Sequence, residues 1–465
     1  MPPLFPGQRL RRFEECEFHR VDAHADTRVV DFDDRDELFA DLNRFADGQF
    51  QLELLHGNLL EDVSGERPVS YDVAADRNRS RTRGRFIPPR SFRRKSISTQ
   101  TQGTQMTEPA SSPAVGLLEF HPVLKRMRWG GRRLETVLGK PIGEESDYAE
   151  SWEVSCHPDG LSVIRGGPFD GRTLQALVEE HPEAVLGPRR VRSDRLQPVK
   201  GPAEAGHYEH PAHRRGDEFP LLIKLLDAGD RLSVQVHPDD EQAAAFQPGE
   251  NGKTEAWVIL DAAPHSLLFA GLKPGVDRDR FRESIADGTV AESLHSFRVS
   301  PGDCVYVPAG TVHAIGEGIL LAEVQQSSNL TFRLYDWGRL GSDGKPRPLH
   351  VDEALACIDF TRGPVDPLTP RVISESDPRS ELLVRCPYFE MRRHTATTPF
   401  ELATEESFRV LMVVEGSAEI TAGDDRRRLG KGRTLLVPAC CGSVRIAPDG
   451  GAAVVLDVSG VFESS

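Results

Sequence analysis

No stretch of this chain approaches 18 consecutive apolar residues, so no segment is long enough to cross a bilayer as a helix. The opening, MPPLFPGQRLRRFEECEFHR, carries charges where a secretory leader needs an apolar core, and we read the protein as soluble and cytoplasmic. Cysteine is sparse as well. The seven (Cys16, Cys156, Cys304, Cys357, Cys386, Cys440, Cys441) are odd in number, scattered, and without a C-x-x-C pair, which argues against a disulfide framework and against a thiolate zinc site. A surplus of positive charge is also missing. With 57 basic residues against 72 acidic ones the formal net charge is −15, which excludes a surface built as a whole to hold nucleic acid or an anionic membrane.

What is present is length: 465 residues is about three times the usual domain size of roughly 150, enough for two or three folding units. Residues 1–112 have one lysine against sixteen arginines, no clean hydrophobic period, and the polar run STQTQGTQMTEPASSP at their end, which is linker chemistry. We expect a disordered N-terminal extension there. Met106 lies inside this run, after STQTQGTQ, and is a candidate for the natural start. Within the extension, residues 77–95 hold nine basic residues and no acid; a solvated tail explains them better than a nucleic-acid arm, because no aromatic platform accompanies the charge.

From about Pro113 the texture changes to short β-rich runs (LLIKLLDAG, LSVQVH, AWVIL, SLLFAGL, CVYVPAG, ILLAEVQQ, TFRLYDW) separated by Gly, Pro and Asp turns, the pattern of a sandwich or barrel. Residues 173–186 and about 278–296 carry apolar residues at three- and four-residue spacing and predict short helical insertions. A polar stretch at 197–216 holds His207, His210 and His213 at three-residue steps, but its prolines and glycines make a surface insertion the better reading than a metal site. After residue 370 a second β-rich unit partly repeats the first. Gly302-DCVYV-Pro308-AGTV-His313 aligns with Gly432-RTLLV-Pro438-ACCG-Ser443, keeping the turn residues and replacing the histidine with serine. The expectation is an all-β dominated chain of two jelly rolls, at 113–370 and 371–465, of which only the first does chemistry.

The first jelly roll holds the residues for it. Gln235 and His237 stand two apart on a strand, so both project from one face. Glu255 opens the strand AWVIL in the word KTEAW, and His313 closes the glycine-led run. Two imidazoles, a carboxylate and an amide oxygen make an N/O donor set suited to a divalent metal such as zinc.

The pattern G-x5-[HQ]-x-H followed by G-x5-P-x-G-x-x-H resembles the paired motifs of the cupin superfamily. The words VQVHPDD, GKTEAW, PAGTVHAIGEGI and QQSSNLTFRLYDWGR, with AESWEVSCHP upstream, are similar to the type I mannose-6-phosphate isomerases, closest to their short bacterial form, from about Leu117 to the C-terminus. The resemblance implies that Gln235, His237, Glu255 and His313 bind one zinc ion per chain, that Arg333 is the catalytic arginine, and that Lys253 and Glu323 are further active-site residues, Lys253 and Arg333 contacting substrate. It implies a sugar phosphate as the partner, with no membrane and no nucleic acid. Two positions depart from the pattern: Glu317 replaces a frequent cupin asparagine, and Ile315 stands where the longer form has a sugar-contacting tyrosine.

The implied activity is the interconversion of mannose 6-phosphate and fructose 6-phosphate through an enediolate, whose negative charge needs a Lewis acid and a fixed cation such as Arg333. Lys253, Glu323 and a metal-bound water are the candidates for moving the proton. A sugar-sensing cupin regulator with a basic arm and a cupin oxygenase are the alternatives. Arg333 and Lys253 in their motif words favour the isomerase, and the lack of a G-G-x-G-x-R loop argues against a second, nucleotidyl-transfer activity.

Overall fold

Runs rich in Val, Ile and Leu, cut by Gly and Pro, fold here as strands, and the helices are short insertions between them. A computed structural model describes residues 115–188, 218–340, 344–404 and 407–461, with the backbone of three short strands before them. The chain divides into two units, Met1–Gln105 and Met106–Ser465. In the first, Phe18–Val21 pairs antiparallel with both Arg28–Val30 and Gln51–Leu54. The basic run 77–95, Met106 and the insertion 197–216 with its three histidines lie outside the described residues. Among the described residues no helix is long and apolar enough to cross a membrane.

The second unit contains two two-sheet barrels of the cupin type. In the first barrel a six-stranded sheet runs in the order Cys304–Val307, Glu255–Ala262, Ile319–Gln326, Leu221–Ala228, Tyr148–Val154, Val123–Gly131. It faces a five-stranded sheet in the order Leu294–Arg298, Leu267–Leu272, His313–Ile315, Val234–Val236, Phe332–Tyr335. The second barrel repeats the plan with a six-stranded sheet from Arg371–Ser374 to Thr434–Val437 and a four-stranded one of Phe400–Ala403, Ser443–Pro448, Ser417–Ala422 and Asp425–Gly430. Gly302 and Gly432, the first residues of the two repeated words, have φ of 93° and 78°, a region open to glycine at little cost, which is why that residue type recurs at this turn.

Alternation along the strands decides which core each residue joins. Trp257 and Ile259 point into the first barrel with Leu226, Val305 and Leu321, whereas Ala256 and Val258 point the other way. There they meet Val410, Met412 and Val458 of the second barrel in one apolar cluster, with the Phe219 and Phe408 rings 4.6 Å apart. Burying each such side chain contributes roughly 1.5–3 kcal/mol.

The expected helical stretch at 173–186 is two helices, Leu174–Glu180, capped by Thr173 accepting from Ala176 N, and Pro182–Leu186. The stretch at 278–296 is helical in Arg278–Ala286 and Val290–Ser293, but its last three residues are strand. Leu294 and Ser296 pair with Leu272 and Phe269, and this sheet pairing overrides the helical spacing.

Candidate active site

The strand register brings three of the sequence-derived residues into one row. His313 and Gln235 are directly opposed on adjacent strands, and Gln235 is directly opposed to Arg333 on its other side. Opposed residues share a face, so all three look into the barrel. From the facing sheet, Glu255 opens its strand opposite Val307 and Gln325, and Glu323 stands opposite both Trp257 and Lys224. His237, Lys253, Glu255, His313 and Glu323 are all buried.

His237, Glu255 and His313 offer ligand atoms that lie within 4.8 Å of one another. Each imidazole is held by its far nitrogen: His237 Nδ1 donates to Leu330 O and His313 Nδ1 to Thr311 O, both at 2.9 Å. That fixes the tautomer, leaving the Nε2 lone pairs directed at the cluster. Burial, then the Lys253 ammonium, holds the His313 imidazole down at about 4, and the same causes hold His237 well below its ordinary value. Both are therefore neutral at physiological pH, the form a metal needs. Glu255 Oε1 is a buried oxygen with no hydrogen-bond partner, 3.4 Å from His313 Nε2. The Gln235 side-chain amide donates to His313 Nε2 at 3.2 Å; turning the amide over presents its oxygen instead.

Lys253 Nζ donates to Glu255 Oε2 at 2.5 Å and to His237 Nε2 at 3.0 Å, and is 3.9 Å from Glu323 Oε1. An ammonium thus contacts the same two atoms that a divalent cation would share, and the orphaned Glu255 oxygen adds a further donor; the residues fit a metal. Burial and the Glu323 carboxylate push Glu255 above the usual carboxylate range, against the pull of Lys253. Burial acts on Glu323 in the same sense, but Lys253 and Lys224 outweigh it and hold that carboxyl low.

Arg333 bonds none of these groups. Its Nε donates to Ser233 Oγ at 3.3 Å and an Nη to Pro348 O at 3.1 Å, so among the described residues it makes no ion pair with a carboxylate. Ile315 is buried among apolar barrel residues and offers the site no hydroxyl, while Glu317 is exposed, with only its backbone oxygen bonded, to Ser266 Oγ.

Sequence reasoning missed a second half of the charge cluster. Lys224 Nζ lies 3.3 Å from Glu323 and 3.7 Å from Glu150, whose other contact is the Trp152 indole N–H at 2.6 Å. The Trp257 indole N–H donates to Glu323 at 3.1 Å. A lysine in the middle of LLIKLLDAG, an otherwise apolar strand, was the signal that could have found it.

The second barrel shows what becomes of the same positions. Val307 opposes Glu255, and its counterpart Val437 opposes Arg409; Glu323 opposes Trp257 and Lys224, and Asp457 opposes Leu411 and Arg392. His313 opposes Gln235 inside the first barrel, whereas Ser443 opposes Ala403 on the exposed face of the second, where the inward pair is Val444 opposite Leu402. Arg409 bonds Asp457 at 2.6 Å, with His394 Nε2 3.4 Å from the same oxygen.

Residues 117–256 match the family model described as phosphomannose isomerase type I, catalytic domain, and residues 380–456 the one described as mannose-6-phosphate isomerase, cupin domain. The chain is 34% identical over 331 residues to mannose-6-phosphate isomerase ManA of Bacillus subtilis, covering 71% of this chain and 95% of that protein. It is 33% identical over 310 residues to mannose-6-phosphate isomerase of Streptococcus mutans, covering 67% of this chain and 88% of that protein. The crystal structure of the mannose 6-phosphate isomerase from Bacillus subtilis superposes with a TM-score of 0.63 at 31% identity, covering 74% of this chain and 99% of the other.

Proposed function

Since this chain belongs to the type I phosphomannose isomerase family and is a mannose-6-phosphate isomerase, we propose that it is zinc-dependent and works through an enediolate in the first barrel. Gln235, His237, Glu255 and His313 would hold the ion, which when bound supplies Lewis-acid stabilisation of negative charge on the sugar oxygens. The observation that carries this reading is that His237, His313 and Glu255 offer ligand atoms within 4.8 Å of one another, with Glu255 Oε1 buried and unpartnered.

The chain's own residues do the rest. Aldose and ketose interconvert by moving a proton between C1 and C2, and the negative charge that develops needs a cation not already spent on a carboxylate. Arg333 is such a group, on the same barrel face as Gln235. Glu323 Oε1, kept ionised by the Lys253 and Lys224 ammonium groups, can take the proton from one carbon and return it to the other, with the Lys253 charge 3.9 Å away. Trp257, Glu150 and Lys224 fix these groups in a site closed to bulk water. The catalytic part is residues 113–370, with 371–465 a metal-free structural unit.

The test is a coupled isomerase assay on mannose 6-phosphate with metal analysis of the purified protein. His237→Ala and Glu255→Ala should each lose most of the bound zinc and nearly all turnover. Full activity in a metal-free His237→Ala protein overturns the assignment.

A further inference from the structure

The segment that carries Lys253 into the site is stitched to a helix that a residue of the other barrel holds. Asp240 opens the helix Asp240–Phe246, with three residues between it and the strand Val234–Val236 in the word VQVHPDD. Its Oδ1 accepts from Gly252 N and from Gln326 Nε2, both at 2.8 Å, and Gln326 Oε1 in turn accepts from Thr254 N at 2.9 Å. Lys253 N donates to Pro238 O at 3.0 Å. Residues 252, 253 and 254 therefore all have their backbone N–H groups tied to this helix start or to the strand beside it, and Glu255 follows immediately. Gly252 permits the approach, since a Cβ there would come within 2.6 Å of the backbone of Asp239 and Asp240.

The other carboxylate oxygen of Asp240 is held from across the barrel interface. Tyr388, in the turn between strands Arg379–Arg385 and Phe389–Ala396 of the second barrel, donates its hydroxyl to Asp240 Oδ2 at 2.9 Å. Burial and the adjacent carboxylate push the phenol above its ordinary range, so it remains a donor.

We propose that Tyr388 is a positioning residue for catalysis: by fixing the Asp240 carboxylate, the second barrel sets the position of Lys253 and Glu255 in the first. It touches neither substrate nor the reacting atoms. Loss of its hydroxyl frees the carboxylate to turn, slackens the N–H groups of Gly252 and Thr254, and lets the Lys253 ammonium drift from the distances at which it meets Glu255 and Glu323. Misplacement on the scale of 1 Å can cost on the order of a hundredfold in rate, and a slackened tether a fraction of that.

The kinetic half of the test rests on the isomerase reading; the other half does not. In the full chain, Tyr388→Phe should lower kcat by about fivefold or more with KM within about twofold, and speed hydrogen exchange at the amides of residues 252 and 254 by about tenfold. Arg393→Gln is the control. Arg393 also bonds across the two barrels, to Gly302 O at 2.8 Å, but leads to no site residue, so its loss should leave kcat and those two amides unchanged. Unchanged exchange or unchanged kcat in Tyr388→Phe, or an equal effect of Arg393→Gln on both, overturns the proposal. A parent protein without turnover would sink the isomerase reading, while the exchange comparison would still decide whether Tyr388 holds this segment.

Discussion

Arg409 occupies in the second barrel the register position that Glu255 occupies in the first. A fixed cation there repels a metal, and the inward-facing pair on the opposite sheet, Val444 opposed to Leu402, supplies no imidazole or amide in place of His313 and Gln235. Metal analysis should therefore find one zinc ion per chain, and two would overturn this account. Arg409→Ala should keep turnover but lower stability by roughly 3 kcal/mol, read from denaturant midpoints, because it strands the buried Asp457 carboxylate.

The same pair gives a pH dependence. Burial works to raise Asp457, but the His394 and Arg409 contacts prevail and hold it below the ordinary aspartate value. A carboxylate depressed in the folded state contributes stability that is full above its unfolded value, near 3.9, and is lost as pH falls through the folded one. Unfolding free energy should thus drop steeply below about pH 4, and Asp457→Asn, less stable at neutral pH, should lack that part of the slope.

Arg333 and Ser443 separate the two barrels kinetically. Arg333→Ala removes the cation free to meet developing charge and should lower kcat by roughly a hundredfold or more. Ser443→Ala, an exposed change in the second barrel, should leave turnover within a few-fold of the parent. Comparable damage from both substitutions would mean that the second barrel takes part in the chemistry.

Removal of residues 1–112 should give a chain that folds and turns over normally, since no barrel strand is lost. Insoluble or inactive protein would place the functional boundary earlier in the chain.

The two-barrel plan was legible because its strands are short, apolar and punctuated by Gly and Pro, and because the glycine-led word recurs at 302 and 432. The candidate site was legible where chemistry and spacing coincide: Gln235 on the strand Val234–Val236 with His237 just past its end, and His313 at the end of the repeated word. Lys224, Glu150 and Asp240 were not. Each acts through a partner distant in sequence, with Glu323 99 residues beyond Lys224 and Tyr388 148 beyond Asp240. No local pattern encodes which strands become neighbours, and cross-strand register alone reveals that Arg409 replaces Glu255. The strand at Leu294 was misjudged as helix for the same reason, its partner Leu272 lying in another element.

The apolar cluster shared by the barrels, with Phe219 against Phe408 and Val258 on the same side as Met412, forbids hinge motion between them. Rotating one barrel away from the other would expose that whole cluster to water, at roughly 25 cal/mol for each Å² uncovered. Substrate entry then cannot rest on the barrels swinging apart, and thermal unfolding of the two barrels should follow one cooperative transition.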